Sequence, residues 1–230
     1  MTGKLKVYWN DFLDLLFPRF CEACEQALQG QEKVLCTTCR ITLPKFVEHD
    51  LHYEAIQKRF AAYPKVKSVQ ALWVFTKKGK VQRLIYGLKY RHRKEIGILA
   101  GQLFAQLYTS PTADYIIPVP LHKRRLKERG YNQSELFSEG LSSIWQIPCV
   151  TEVLLRQKYT TSQTGKSKEE RAQNVDAIFE VTQSNLIVGK SIVLTDDVLT
   201  TGATLESCIA TLVANQCKEI HIITIAVAHH

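Results

Sequence analysis

The stretch Ile192-Val193-Leu194-Thr195-Asp196-Asp197-Val198-Leu199-Thr200-Thr201-Gly202-Ala203-Thr204 constrains this chain more than any other. An apolar strand ends in two adjacent carboxylates, and a hydroxyl-rich turn then leads into a helix beginning near Thr204. At the C-terminal edge of a parallel sheet, the N–H groups of a tight turn and of a helix N-terminus converge into an anion site. Thr200, Thr201 and Thr204 can add hydroxyl donors, and Gly202 lets the backbone approach a phosphate closely. Asp196 and Asp197 would repel that phosphate, so they must address something neutral or cationic beside it. Vicinal ribose hydroxyls meet that requirement as donors, and the whole turn suits a sugar phosphate. The bland alternative is a strand-turn-helix whose Asp pair merely caps the next element. A cap has no need of two acids, three threonines and a glycine in this order.

The rest of the chain supplies a setting for such a turn. Strand-like runs at Ser68 to Phe75, Tyr115 to Val119, Val150 to Leu155, Ser191 to Leu194 and Ile220 to Val227 alternate with helical stretches. The helical stretches are Val81 to Tyr90, Lys94 to Tyr108, Ser134 to Trp145 and Thr204 to Asn215. This alternation predicts βαβ units, an α/β fold with a parallel sheet flanked by helices. Ile41 to Pro64 lacks clear periodicity and reads as linker and short helix. The division expected is an N-terminal helix and Cys module over residues 1–45, a linker over 46–66, and an α/β domain over 67–230. The 230 residues allow one full domain plus a small appendage. No run approaches the roughly 18 apolar residues that span a bilayer. Asp11 and Asp14 interrupt the N-terminal apolar run, and Pro18 ends it, as in an amphipathic helix rather than a secretion signal. A soluble, cytoplasmic protein is expected.

Four of the seven cysteines form Cys21-x-x-Cys24 and Cys36-x-x-Cys39, separated by 11 residues. Two such pairs complete the tetrahedral sulfur shell that zinc prefers, and four Cys leave no open position for catalysis. A structural Zn²⁺ site is therefore expected at Cys21, Cys24, Cys36 and Cys39. Disulfides are the alternative, disfavoured without an export signal, and redox Cys-x-x-Cys chemistry needs only one pair. His49 and His52 read as surface residues; Cys149, Cys208 and Cys217 read as small buried hydrophobes.

The formal charge of +8 is unevenly spread. Residues 77–94, 123–129 and 156–171 hold 18 of the 30 cations and only 3 of the 22 acids, which leaves the remainder at a net −7. Such polarisation points to a polyanionic partner, either a phosphoester or a nucleic acid. Between residues 77 and 94 the cations alternate with Tyr86, Tyr90 and His92, a combination used on single strands, where cations follow phosphates and rings stack on bases. Lys89, Tyr90, Arg91 and Arg93 are the candidates there. A basic helix with Leu84, Ile85 and Leu88 packed inward explains the same pattern. Gly165-Lys166-Ser167 looks like the end of a P-loop, but Thr160 stands where that motif begins with glycine.

The acidic turn resembles the phosphoribosyl pyrophosphate (PRPP) signature of type I phosphoribosyltransferases across all 13 positions. Two further stretches extend the likeness: Pro118-Val119-Pro120-Leu121-His122-Lys123-Arg124-Arg125-Leu126 and Arg129-Gly130-Tyr131-Asn132-Gln133-Ser134. With the Cys quartet they resemble the ComF family of competence proteins, which join a Cys-rich zinc module to a phosphoribosyltransferase-like domain. Arg156, Thr160, Gln163, Arg171 and Asn174 also resemble that family's flexible loop, although Lys166 stands where an apolar residue is frequent.

The resemblance implies that Asp196 and Asp197 act on the ribose 2′- and 3′-hydroxyls, while Val198, Leu199, Thr200, Thr201, Gly202, Ala203 and Thr204 hold the 5′-phosphate. Leu121, His122, Lys123, Arg124 and Arg125 would form the pyrophosphate loop, with Mg²⁺ on the diphosphate. Gln163, Lys166 and Arg171 would belong to a lid. It further implies a role in DNA uptake during natural transformation, on single-stranded DNA beside a helicase-like partner. Two functions follow: transfer of ribose 5-phosphate to an acceptor, or non-catalytic binding of single-stranded nucleic acid with PRPP as a regulatory ligand. A pure zinc-mediated interaction module is disfavoured, since the Cys segment occupies under a fifth of the chain.

Overall fold

The computed structural model describes residues 17–47, 51–157 and 178–228. Four strands, β1 (Val66–Phe75), β2 (Tyr115–Pro118), β5 (Ser191–Leu199) and β6 (Glu219–Ala228), form one sheet in the order β1-β6-β5-β2. Every pairing in it is parallel. β3 (Leu154–Arg156) and β4 (Phe179–Val181) make a separate antiparallel pair. The central strands β5 and β6 are covered on both faces, so Ile192, Val193 and Leu194 are followed in space by Ile222, Ile223 and Ile225, all buried. Near-continuous apolar runs of this kind are what a parallel sheet between helices requires. The free edge of β1 is closed by the chain entering from the Cys module. Phe46 donates its N–H to the Leu72 carbonyl at 3.2 Å, and Val74 donates to that of Pro44 at 2.8 Å.

The helices, in chain order, are α1 (Thr37–Thr42), α2 (Leu51–Phe60), α3 (Lys80–Tyr90), α4 (Glu95–Leu107), α5 (Lys123–Arg129), α6 (Gln133–Trp145) and α7 (Ala203–Ala214). One core joins α3, α4 and α6 to one face of the sheet and also takes in the Cys segment. The other core gathers α2, α7, β3 and β4 on the opposite face. α3 shows why the sequence folds this way: Val81, Leu84, Ile85 and Leu88 recur at helical spacing and are buried, while the intervening cations remain outside. α4 and α6 cross so closely that a Cβ on Gly101 would lie 2.7 Å from the Leu141 N and 2.8 Å from the Gly140 Cα. Only two glycines permit that approach.

The expected alternation is present, with informative departures. β5 does not stop at Leu194 but continues through the acidic pair to Leu199, because Asp196 and Val198 still pair with Thr224 and Ala226 on β6. The turn is thereby shortened to Thr200–Gly202, and α7 begins at Ala203. The basic stretch after Pro120 is a helix from Lys123, not an open loop to Arg125. Val150 to Leu155 narrows to β3, whose partner β4 had no alternating signal. The stretch without periodicity contains α2, and Phe46 and Phe60 within it are buried at 3% and 2% exposure. Among the described residues, no helix is long and apolar enough to cross a membrane.

Candidate functional site

The end of β5 places both acids at the C-terminal edge of the sheet, where α3 and α6 reach them. Ser134, at the start of α6, donates its hydroxyl to Asp196 Oδ1 at 3.1 Å, and the Asp197 N–H donates to the same oxygen at 2.8 Å. One turn further along α6, the Ser138 and Thr195 hydroxyls share a 2.6 Å hydrogen bond. Asn132 caps α6 by accepting the Ser134 N–H at 3.1 Å and ties it to the residue following β2 by donating to the Val119 carbonyl at 3.0 Å. These contacts fix Asp196 rather than leaving it in solvent. Burial pushes its carboxyl up from 3.8 to about 7, and the adjacent Asp197 charge adds to the rise. Asp197 takes the other route, pairing with Lys89 of α3 at 2.9 Å. Beyond them Gly202 adopts φ +78°, a left-handed turn that a side chain would strain, and α7 starts on the next residue. Thr200 and Thr201 are exposed around that turn.

Two cavities adjoin Lys89. One, of about 290 Å³, is lined by Lys89, Tyr90, His92, Arg125, Glu128 and Arg129. Three cations and a histidine against one acid make it suited to an anion. The other, of about 240 Å³, lies against Tyr86, Lys89, Tyr90, Val198 and Thr200 and is mostly apolar. Within the expected pyrophosphate stretch the structure separates roles. Arg125 lines the basic cavity. Arg124 turns to Glu128 at 2.9 Å and stays largely exposed. His122 caps α5, its Nδ1 accepting the Arg124 N–H at 3.3 Å, so a structural task occupies it. Leu121 and Lys123 flank this cap. Arg129 and Lys89 are brought to the cavity although neither was assigned there from sequence. Next to them Gln133, 1% exposed, accepts from Arg129 at 2.9 Å, yet its amide nitrogen finds no protein acceptor among the described residues. The lid candidates Gln163, Lys166 and Arg171 lie outside the described residues, as do Thr160, Asn174 and His49.

The window at 77–94 is not one open basic face. Arg93 pairs with Glu22 at 3.1 Å, Arg83 with Glu25 at 3.1 Å, and Lys89 with Asp197. Acids from elsewhere in the chain therefore take three of the cations that the sequence alone leaves unpaired. Tyr86 and Tyr90 do remain exposed, their rings 5.0 Å apart, with Arg91 over the first and Arg129 over the second.

The four Cys side chains converge, all sulfur atoms within 4.8 Å of one another. Cys24 Sγ and Cys36 Sγ stand 3.7 Å apart, close to the ~3.8 Å edge of a tetrahedron with Zn–S bonds of about 2.3 Å. The Cys36 N–H donates to Cys21 Sγ, and the Cys39 N–H to Cys36 Sγ, both at 3.4 Å. For Cys21 burial acts upward, but backbone donors from Cys36, Cys24 and Ala23 outweigh it and lower the thiol to about 7. The quartet can hold a metal such as zinc. Cys208 within α7 and Cys217 just beyond it are buried in the core, and burial raises both thiols; Cys149 is partly buried and raised for the same reason.

Comparison with known proteins shows what this chain is similar to. Residues 132–230 match the phosphoribosyl transferase domain. Competence protein F of Haemophilus influenzae is 43% identical over 91 residues, 39% of this chain and 40% of that protein. Over these stretches the chain is similar to the ComF competence proteins. Competence protein ComFC of Bacillus subtilis is 33% identical over 135 residues, covering 57% of this chain and 53% of that protein. The chain thus spans about half the length of these curated relatives. Among solved structures, the allosteric regulatory enzyme of purine biosynthesis aligns with 58% of the chain and 26% of its own, at 21% identity and a TM-score of 0.45. The matched domain begins at Asn132, so it contains the whole acidic turn and Ser134 but not α3 or α5.

Proposed function

We propose that this protein binds PRPP and transfers its ribose 5-phosphate, and that it serves DNA uptake, a reading supported by relatives named as competence proteins. The observation that carries the reading is the acidic pair at the sheet edge, with a glycine turn and helix N-terminus on one side and a basic cavity on the other. The ribose hydroxyls would donate to Asp196 and Asp197, and its 5′-phosphate would sit on the N–H groups and hydroxyls of Val198 to Thr204. The diphosphate would extend past Lys89 toward Arg125 and Arg129. Breaking the glycosidic bond develops positive charge on the sugar and negative charge on the leaving diphosphate. Preorganised cations stabilise the second of these without reorganising. Magnesium held on the diphosphate would supply further charge neutralisation. It takes hard oxygen ligands and substrate phosphates rather than all-protein cages, and the acidic pair is of that type. The apolar cavity beside Thr200 offers the acceptor side.

Within this reading, residues 1–45 form the metal module, 46–66 connect, and 67–230 form the phosphoribosyltransferase-like domain, with the lid supplied by Gln163, Lys166 and Arg171. Replacing Asp196 and Asp197 together by Asn should abolish PRPP binding in calorimetry while leaving the circular dichroism spectrum intact. Unchanged affinity would remove the assignment.

The exposed Tyr86–Tyr90 pair supports a second role in binding single-stranded nucleic acid. Filter binding of single strands should weaken steeply as salt rises and should weaken further in Tyr90→Ala. No retention at low salt would end this second reading, and with it the alternative in which PRPP is only a regulatory ligand.

A further inference from the structure

The phosphate turn is touched by a cation from outside the matched domain. A Cβ on Gly202 would lie 2.7 Å from Arg59 Nε and 3.2 Å from both its Cδ and its Cζ. The guanidinium of Arg59, near the end of α2, therefore lies against the bare Cα at the mouth of α7. Nε donates to Glu206 Oε1 at 3.1 Å. Its two Nη groups have no hydrogen-bond or ion-pair partner among the described residues. The side chains are 40% and 30% exposed, so this is not a buried structural pair.

Electrostatics makes the placement informative. The free N–H groups at a helix start carry partial positive charge and favour an anion there. A guanidinium pressed onto that end is unfavourable unless a negative group joins it. Glu206, in the first turn of α7, supplies one on a single edge of the fork. An arginine presents five N–H donors in a plane, and the edge left over matches a phosphate in bidentate geometry.

We propose that Arg59 is a phosphate-binding residue of the PRPP site, reaching from the connecting helix α2 to hold the 5′-phosphate over the turn Thr200–Thr204. The inference rests on reading that turn as the 5′-phosphate cradle. Glu206 is then a positioning residue: it anchors Nε and aims the Nη edge at the ligand. Gly202 is needed twice, for its left-handed φ and for the room the guanidinium occupies.

Calorimetry on the full chain with PRPP, ribose 5-phosphate and inorganic pyrophosphate separates the possibilities. Arg59→Ala should weaken PRPP and ribose 5-phosphate by the same factor, roughly 10- to 100-fold, the range for hydrogen bonds to charged groups. Pyrophosphate, which lacks the sugar end, should bind Arg59→Ala as it binds the unaltered chain. Arg59→Lys should recover part of the loss, and Glu206→Gln should largely keep affinity, since its amide oxygen still accepts from Nε. Equal losses in Arg59→Ala and Glu206→Gln, with matching falls in melting temperature, would mean that the pair is only a strap holding α2, and would overturn the proposal. Tighter binding in Arg59→Ala would also overturn it, by showing that the side chain plugs the cradle. If the unaltered chain binds PRPP and Arg59→Ala binds it equally, this inference alone fails. If the unaltered chain binds neither sugar phosphate, the reading of the site fails with it.

Discussion

Asp196 and Asp197 are neighbours in sequence and opposites in environment. Asp197 faces a lysine, whereas Asp196 is enclosed by Ser134, the Asp197 N–H and the core side of α6. The unfolded chain would release the Asp196 proton near 3.8, and the fold retains it to about 7. A raised carboxyl contributes stability that is complete below the unfolded value and is lost as pH rises through the folded one. Asp196→Asn cannot ionise, so its stability in urea relative to the unaltered chain should climb between about pH 4 and pH 7 and then level off. A difference that stays flat with pH would show that Asp196 titrates normally. Ionised Asp196 is also the better acceptor for ribose hydroxyls, so PRPP affinity should rise through about pH 7 in the unaltered chain. Two adjacent acids were legible as a motif; that one of them holds its proton was not, because burial is decided by elements 62 residues away in sequence.

At the scale of elements, the site depends on how closely α6 can sit. α6 carries Ser134 and Ser138 to β5, and its seat on α4 is the crossing of Gly101 and Gly140. In sequence these glycines only weaken two helices. In the structure each stands where a methyl group would meet backbone, and backbone cannot move aside as a side-chain tip can. Gly140→Ala should therefore cost about 1–3 kcal/mol in urea unfolding, the usual cost of overpacking. It should also weaken PRPP binding, because α6 is displaced from Asp196. A stability equal to that of the unaltered chain would show that the crossing has slack. The extension of β5 through Asp196 to Leu199 belongs to the same scale. The two carboxylates carry no strand signal of their own, but the ladder to β6 continues regardless.

Across the whole molecule the Cys module is tied to the domain through charge. Glu22, inside the first Cys-x-x-Cys, binds Arg93 in the connection between α3 and α4, Glu25, just after it, binds Arg83 in the first turn of α3, and the same helix sends Lys89 to Asp197. Purified protein should contain about one zinc per chain by elemental analysis, and Cys39→Ser should lose it. Chelation should free the acidic knuckle and raise hydrogen exchange across residues 80–93 before it affects β5 and β6. A metal-free preparation with full protection there would contradict a structural metal. Exposed ion pairs are individually weak, so a metal held by the quartet would fix the knuckle and make these two act together.

The sequence by itself determined the parallel α/β alternation, the acidic turn and the Cys quartet, because each is written in local pattern: hydrophobic period, residue order and ligand spacing. It also showed that positive charge is concentrated, but not what that charge faces. Only the tertiary structure paired Lys89, Arg83 and Arg93 with acids far along the chain, gave His122 a capping task, folded α2 onto the sheet and laid Arg59 across Gly202. The physical reason is common to all of these. A charge or a glycine has no direction in a sequence, and it acquires a partner only when packing brings distant segments within a few ångströms.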